Sequence, residues 1–222
     1  MTRLLQAFIL LSVLCFAAGA ASDESRPGTI EVGMLVYGGD DDSSVCFSGL
    51  FLRDVKYETE IEVASGFTPV RLDSEALFDH PFVIMSGEGA FELRAEEVEN
   101  IRRYLNGGGF LLASAGCSNA PWNASMRRSL NRIFPDVAAE ELPIDHEVFQ
   151  TIYDITEFQS KRRSRTVRIY GIEVNDRLAL VYSPEGLNDT RNAGNGCCCC
   201  GGNEVRNARY INANILAYAL MK

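Results

Sequence analysis

The amino-acid sequence predicts an α/β protein, a three-layer sandwich in which a mostly parallel sheet lies between two layers of helices. Short continuous apolar runs alternate along the chain with amphipathic segments of helical spacing. Such runs are typical of strands that are buried on both faces, as in parallel sheets covered by helices. At 222 residues the chain can bury one sizeable core but not two, so a single domain is expected.

Apolar, β-rich runs that are closed by glycines or polar turns predict the strands, and apolar residues at every third or fourth position predict the helices. Strands are predicted at residues 29–37, 67–72, 81–86, 110–114, 166–174 and 178–183, and helices at 48–63, 93–106, 123–134 and from Asn203 to the C-terminus. We expect the strands at 29–37, 81–86 and 110–114 to lie parallel in one sheet, with the 93–106 helix as the crossover before the last of them.

Capping and turn signals support these boundaries. Acidic residues occupy the first turn of the 93–106 helix, and three glycines at 107–109 stop it. Asn123 is predicted to cap the third helix, which Pro135 ends, and Asn203 to cap the last one. The residues at 175–177 predict either a hairpin or two successive strands.

The N-terminus has the order of a secretory signal. Arg3 precedes an apolar run at residues 4–16, and small residues follow it up to Ala21. The run is short for a membrane-spanning helix, which needs about 20 apolar residues, so we expect cleavage near Ala20 or Ala21 rather than an anchor. The predicted organisation is a signal peptide at 1–21, a disordered leader at 22–28 and one domain at 29–222. The protein is then exported to the periplasm or the extracellular space.

The charge of the chain excludes some classes of partner. Its formal net charge is -9, and removal of a signal that contains one arginine and no acid makes the mature chain more negative. An acidic protein is a poor partner for nucleic acid or for anionic lipid. We therefore expect a protein or a small molecule as the partner, with no transmembrane span after signal cleavage.

Four consecutive cysteines at 197–200 precede the last predicted helix and indicate sulfur chemistry, because thiolates bind metals and exchange disulfides. Neighbouring Cα atoms lie about 3.8 Å apart, below the usual disulfide span of roughly 4.4–6.8 Å, so unstrained partners must come from elsewhere. Signal cleavage removes Cys15, which leaves Cys46 and Cys117 as those partners.

Two interpretations of these cysteines stay open. In the first, export oxidises them and two or three disulfides fasten the loops together. In the second, soft thiolate ligands hold Zn, Cu or an iron-sulfur cluster, or form a redox site. The candidate ligands are Cys46, Cys117, Cys197, Cys198, Cys199 and Cys200.

A ligand site is expected at the carboxyl ends of the parallel strands, because open α/β sheets bind ligands there. The residues at that edge are Gly87, Glu88, Gly89 and Ser114, which we take as candidates for binding a ligand or cofactor. Glu88 between two glycines could orient a ligand or a metal ion. Alternatively, it is an ordinary carboxylate in a solvated loop.

Cys117 follows a predicted strand, where a catalytic nucleophile would stand, but the surrounding glycines of a nucleophile elbow are half missing. A catalytic base is also scarce. His80 precedes its strand and belongs at the opposite edge, and His146 lies in a turn where a structural role is common. Only Cys117 and His146 could form a triad with an acid.

A resemblance can be named from several segments of the chain. They are the 93–97 helix start, the 104–111 helix-glycine-strand unit, 128–135, the Leu142-Pro143-Ile144-Asp145-His146 turn with Phe149, and 181–183. The chain resembles a bacterial family of uncharacterised domains that are similar in fold to class I glutamine amidotransferases, which is a flavodoxin-like arrangement. Many members of that family carry an acidic pair where this chain has Ser114 and Ala115. The cysteine run resembles a feature of one branch.

We therefore predict an exported, non-catalytic binding or assembly module that carries a cysteine cluster at its ligand rim and that depends on thiols or a metal. The alternative is an enzyme, either a thiol-disulfide oxidoreductase or an amide hydrolase that uses Cys117.

Overall fold

The structure, a computed structural model, describes residues 28–38, 46–161, 166–194, 197 and 205–222. The predicted signal at 1–21, most of the leader and Asn203 lie outside these residues. The strands are β1 (Ile30–Val36), β2 (Val63–Arg71), β3 (Phe82–Gly87), β4 (Phe110–Ala115), β5 (Glu140–Glu141), β6 (Tyr170–Val174) and β7 (Arg177–Ser183). The helices are α1 (Leu50–Glu58), α2 (Ala95–Asn106), α3 (Ala120–Ile133) and α4 (Ala208–Met221).

The strands form a single sheet in the order β2-β1-β3-β4-β7-β6-β5. The first five strands of this order run parallel. At one edge β6 pairs antiparallel with β7, and β5 pairs antiparallel with β6. The prediction that β1, β3 and β4 are parallel, with α2 between β3 and β4 along the chain, is confirmed. The mostly parallel α/β class is confirmed with it.

The sheet separates two hydrophobic cores, and its central strands contribute alternate residues to each. Phe82 and Ile84 of β3 pack in the core that also contains residues of α1 and α4. Val83 and Met85 point the other way, into the core with α2 and α3. Because both faces are covered, every position of β3 and β4 is buried, which explains why these strands are continuous apolar runs without alternation.

The first helix is shorter than predicted. The 48–63 interpretation was wrong in its second half, because α1 ends at Glu58 and β2 begins at Val63. Thr59 stops the helix in an extended conformation, and both its backbone N–H and its hydroxyl donate to the carbonyl of Val55. Val63, the last residue of the predicted helix, is instead buried as the first residue of β2.

The third helix begins earlier than predicted, at Ala120. Asn119, not Asn123, is its N-cap, and the Asn119 side chain accepts a hydrogen bond from the N–H of Trp122. Asn123 lies inside the helix, where its amide donates to the carbonyl of Pro184 at 2.9 Å. The first turn contains Pro121, which suits this position because the N–H that proline lacks would have no helical partner there.

The end of the chain forms a hairpin and a helix. β6 and β7 are joined by Asn175 and Asp176, both with positive φ, as a two-residue hairpin turn requires. The hairpin alternative is therefore confirmed. Helix α4 follows Asn207, whose side chain does not cap it and instead bonds to the 157–159 segment. Among the described residues, no helix has the length and apolar character to cross a bilayer.

An ion pair joins the two helices on one face of the sheet. Arg209 of α4 donates two hydrogen bonds to the carboxylate of Asp54 in α1, one of them at 2.6 Å from Nε to Oδ2. The Asp54 side chain is only 9% exposed and that of Arg209 is 36% exposed. The bidentate geometry and the partial burial make this pair stronger than a surface ion pair.

We expect Asp54→Ala to lower the free energy of unfolding by about 2 kcal/mol, because it leaves a half-buried guanidinium without its carboxylate. Urea denaturation measures the change. Lys56→Ala is the matched control on the same helix, since Lys56 pairs with Glu62 in solvent, and its effect should stay within about 0.5 kcal/mol. Equal effects of the two substitutions would contradict the assignment.

Candidate functional site

Three serines lie side by side at the carboxyl edge of the sheet. Ser86 of β3 is paired in register with Ser114 of β4, which is paired with Ser183 of β7. All three are fully buried. A row of hydroxyls at the ends of parallel strands is where a ligand of an open α/β sheet would be expected.

The chain itself occupies this row of hydroxyls. After β7 the segment 184–189 turns back over the ends of β4 and β3. The amide of Asn188 spans two of the serines, since its Nδ2 donates to Ser86 Oγ at 2.7 Å and its Oδ1 accepts from Ser114 Oγ at 2.5 Å. The N–H of Leu187 donates to Ser114 Oγ and the N–H of Gly186 to Ser183 Oγ. The centre of the rim is therefore closed by protein.

Gly186 allows this close crossing. It has a φ of +91°, and a Cβ at this position would lie 2.3 Å from the carbonyl oxygen of Ala115. That oxygen belongs to the backbone of β4, so it cannot move aside as a flexible side chain would. Only glycine combines this dihedral angle with this approach.

The closing segment is also tied to both layers of helices. On one face, Asn212 of α4 donates to the carbonyl of Leu187 at 2.7 Å. On the other face, Trp122 of α3 donates to the hydroxyl of Tyr37, which donates to the carbonyl of Ser86. A chain of hydrogen bonds thus runs from one helical layer to the other through the rim.

Cys117 lies beside this closed centre, in the turn between β4 and α3. Its φ of 52° and ψ of 32° place it in the left-handed region, which is uncommon for a residue other than glycine. Its Sγ is 3.4 Å from Oε1 of Glu88. The next residue, Ser118, also has positive φ and donates to the carbonyl of Glu185. The two loops predicted to share a rim, around Glu88 and around Cys117, do lie together.

The predicted binding residues differ in what they offer to a ligand. Gly87 is buried as the last residue of β3, and the hydroxyl of Ser114 is already bonded to the closing segment. Glu88 is exposed, and the N–H of Gly89 donates to Oδ1 of Asn119. Of the four candidates, Glu88 is the one that presents a side chain to solvent.

Of the six candidate cysteines, Cys117 lies at the rim, in the turn between β4 and α3. Cys46 is buried and Cys197 is partly buried, whereas Cys198, Cys199 and Cys200 also lie outside the described part of the chain. No group of three or more metal-ligating side chains forms among the residues that the structure describes. Only three of the six predicted cysteine ligands therefore belong to the described residues.

Both histidines take part in structural contacts. His80 lies directly before β3 at the amino edge, where its Nδ1 is 3.1 Å from the carbonyl oxygen of Glu31. His146 accepts a hydrogen bond from the N–H of Val148 and so caps a short 3-10 helix at 147–149. Its ring also packs edge-on against Phe149 and Tyr218. Both rings are therefore engaged in contacts that stabilise the fold.

Two cavities open beside the closed centre of the rim. One, of about 320 Å³, lies next to β6 and β7 and includes Arg127, Tyr170 and Tyr182 in its wall. Burial raises the pKa of Tyr182 to about 12, so its hydroxyl stays protonated at neutral pH and donates to Asn123. The other cavity, of about 520 Å³, lies at the ends of β1 and β3.

The sequence interpretation missed the residue that closes the rim, Asn188. Its only local signal is a polar turn directly after a buried strand. Its partners Ser86 and Ser114 are 102 and 74 residues away along the chain, so no local pattern links them. The serines themselves carry a detectable signal, because each interrupts or ends an apolar run at the carboxyl edge.

The comparison with protein families identifies the domain but not its role. A family model described as a domain of unknown function, DUF4159, matches residues 32–220. The chain belongs to this family. Among curated proteins no significant match to the chain is found.

We expect Gly186→Ala to destabilise the fold more than Gly89→Ala, although both glycines have positive φ. Gly89 has open space where a Cβ would be, so its substitution should cost only the backbone strain of about 1–2 kcal/mol. Gly186→Ala adds a clash with the Ala115 carbonyl, worth about 1–3 kcal/mol more. Urea denaturation of the two variants measures the difference, and equal losses would show that the closing segment can move away from β4.

Proposed function

We propose that this member of the DUF4159 family is an exported, non-catalytic binding or assembly module that works through the carboxyl rim of its sheet. The observation that carries the proposal is the closure of the rim by the protein's own segment 184–189. Its hydrogen bonds engage the serine hydroxyls at the ends of β3, β4 and β7. A rim that is closed in its centre favours binding at the flanking cavities over chemistry in the middle.

The chemistry of the side chains supports a binding role. Acyl transfer needs a nucleophile within hydrogen-bond reach of a base, about 2.6–3.2 Å. The hydrogen bonds of His80 and His146 go to backbone groups at other places. The acidic charge of the chain favours a protein or small-molecule partner over nucleic acid.

We also propose that the fold is a version of the class I glutamine amidotransferase arrangement. The order of the five parallel strands supports this, since β2-β1-β3-β4-β7 corresponds to the 2-1-3-4-5 order of flavodoxin-like sheets. The position of Cys117, in a left-handed turn between a strand and a helix, also agrees with it. Such a likeness concerns architecture and leaves the activity to be decided by the site.

Export and the cysteines belong to the same proposal. The charged and apolar order at residues 1–21 supports secretion, and disulfides persist in compartments outside the cytosol. We propose that Cys117 is bridged to one of Cys198, Cys199 and Cys200, which would fasten the loop before α4 to the rim. The alternative is a thiolate site for Zn, Cu or an iron-sulfur cluster in the same place.

Peptide mapping of the exported protein without reductant tests this proposal. Trypsin separates Cys117 from the cysteine run, because arginines at 127 and 191 lie between them. We expect the Cys117 peptide to be linked to the peptide of residues 192–206, and the mature chain to begin at Ala21 or Ser22. Cys117→Ser should abolish the link, whereas Cys46→Ser should leave it unchanged.

Two results would contradict the disulfide form of the proposal. The first is full alkylation of Cys117 before reduction. The second is a stoichiometric metal in the purified protein that protects the thiols from alkylation until a chelator removes it. This result would favour the metal-thiolate site. A full-length cytosolic product would contradict export.

A second candidate function is amide hydrolysis, and one observation favours it. Cys117 has positive φ at a strand-to-helix turn, and backbone strain of this kind is concentrated at functional sites. Once reduced, its thiol would stand next to Glu88 at the rim.

Alkylation of the reduced protein at neutral pH distinguishes this candidate. A catalytic Cys117 should react much faster than the other cysteines, and His146→Ala should remove that selectivity. We expect neither result, because His146 is engaged in capping a 3-10 helix. His80→Ala serves as the matched control, since its ring lies at the opposite edge of the sheet. Selective labelling that only His146→Ala abolishes would place the protein among hydrolases.

A further inference from the structure

The larger cavity lies at the point where the strand order of the sheet reverses. From β1 the chain passes to β2 on one side and then to β3 and β4 on the other. The cavity of about 520 Å³ is bounded by Gly38 after β1 and by residues 90–92 after β3. Such a switch point is the usual ligand crevice of open α/β sheets, and this volume is typical of small-molecule sites.

Helix α3 presents two cations to this cavity. Arg128 and Arg132 are four residues apart, so they project from the same face of the helix. Arg128 donates one hydrogen bond, at 2.8 Å, to the neutral hydroxyl of Ser125. Arg132 donates to the carbonyl of Leu93 and is 4.0 Å from a carboxylate oxygen of Glu92, whose side chain is 90% exposed. Arg128 has no ion pair among the described residues, and the ion pair of Arg132 is with an exposed carboxylate at the limiting distance.

Two serine hydroxyls also line the cavity. Ser125 is buried, and its Oγ accepts hydrogen bonds from Arg128 and from the N–H of Phe91, which leaves its own proton to be donated. Ser129 is only 3% exposed, and within the described residues its hydroxyl has no hydrogen-bond partner. Its oxygen does not belong to the buried polar atoms that lack a partner, so it is open to the cavity, where water or a ligand can bond to it.

The other acid at the edge of this cavity is already engaged. Glu97 is buried, and its carboxylate accepts from the N–H of Gly38 and from the backbone and side chain of Arg94. It therefore does not compensate Arg128 or Arg132. In a chain of net charge -9, a cavity wall with two arginines, one of them without a carboxylate and the other with only an exposed one, favours an anionic ligand.

We infer that this cavity binds a small organic phosphate ester through Arg128, Arg132 and the hydroxyls of Ser125 and Ser129. The inference rests on the proposed binding function and names the ligand class of the rim. A phosphoryl group has three acceptor oxygens, which match two guanidiniums and two hydroxyls better than the two oxygens of a carboxylate do. The ring of Phe91 on the same wall provides an apolar surface for the organic part.

Titration calorimetry with phenyl phosphate, inorganic phosphate and benzoate tests the site. We expect phenyl phosphate to bind most tightly, and benzoate at least about tenfold more weakly because it offers fewer acceptors. Binding should persist at an ionic strength of about 0.15 M, since a partly buried site is screened less than a surface one.

Variants of one helix supply the test and its control. Arg128→Gln should weaken phenyl phosphate binding about tenfold or more, and Ser129→Ala about fivefold. Arg127→Gln removes the adjacent arginine, which lines the other cavity, and should leave the affinity unchanged. The thermal unfolding midpoints of Arg127→Gln and Arg128→Gln should match that of the parent protein, because both side chains are exposed.

The outcomes separate this inference from the proposed function. Absence of phenyl phosphate binding, or equal losses of affinity in Arg127→Gln and Arg128→Gln, would overturn the phosphate site. The proposed binding module would then still be tested separately by the disulfide mapping. Release of phenol from phenyl phosphate would instead overturn the non-catalytic function while the site stands.

Discussion

The structure depends on the hydrogen bonds by which Asn188 joins Ser86 and Ser114. A polar side chain without exposure to water would cost free energy unless it found partners, and here the amide supplies both a donor and an acceptor to two buried hydroxyls. The pairing holds the segment after β7 across the ends of β4 and β3. The position of this segment then determines which parts of the rim stay open and which are closed.

This arrangement also connects layers that the sheet would otherwise keep apart. The two hydrophobic cores lie on opposite faces and share no side chain of the central strands. The polar chain from Trp122 through Tyr37 and Ser86 to Leu187 and Asn212 passes around the carboxyl edge between them. One atom of this network, Asn212 Oδ1, is buried without a hydrogen-bond partner among the described residues.

The fold was largely predictable, and the site was predictable only in its location. Continuous apolar runs at β3 and β4 and the glycines after α2 are local signals, so the strands and their parallel order followed from them. A predicted helix boundary was wrong where two nearby residues could both act as the N-cap. At α3 the sequence favoured Asn123, whereas Asn119 is the N-cap in the structure. The rim was correctly expected to bring the Glu88 and Cys117 loops together. The crossing of that rim by residues 184–189 was not expected, because hydrogen bonds between residues 74 and 102 positions apart leave no periodic pattern.

The sequence by itself determined the α/β class, the parallel strands and the edge at which side chains of interest gather, since burial on both faces of a sheet dictates residue type locally. Only the tertiary structure decided what those side chains do. The hydroxyl of Ser114 bonds to Asn188, both histidines have structural contacts, and two arginines of α3 lie at the switch point of the sheet. The physical reason is that hydrogen bonds and ion pairs depend on which residues lie close together in space. For residues far apart along the chain, this is decided only when the chain folds.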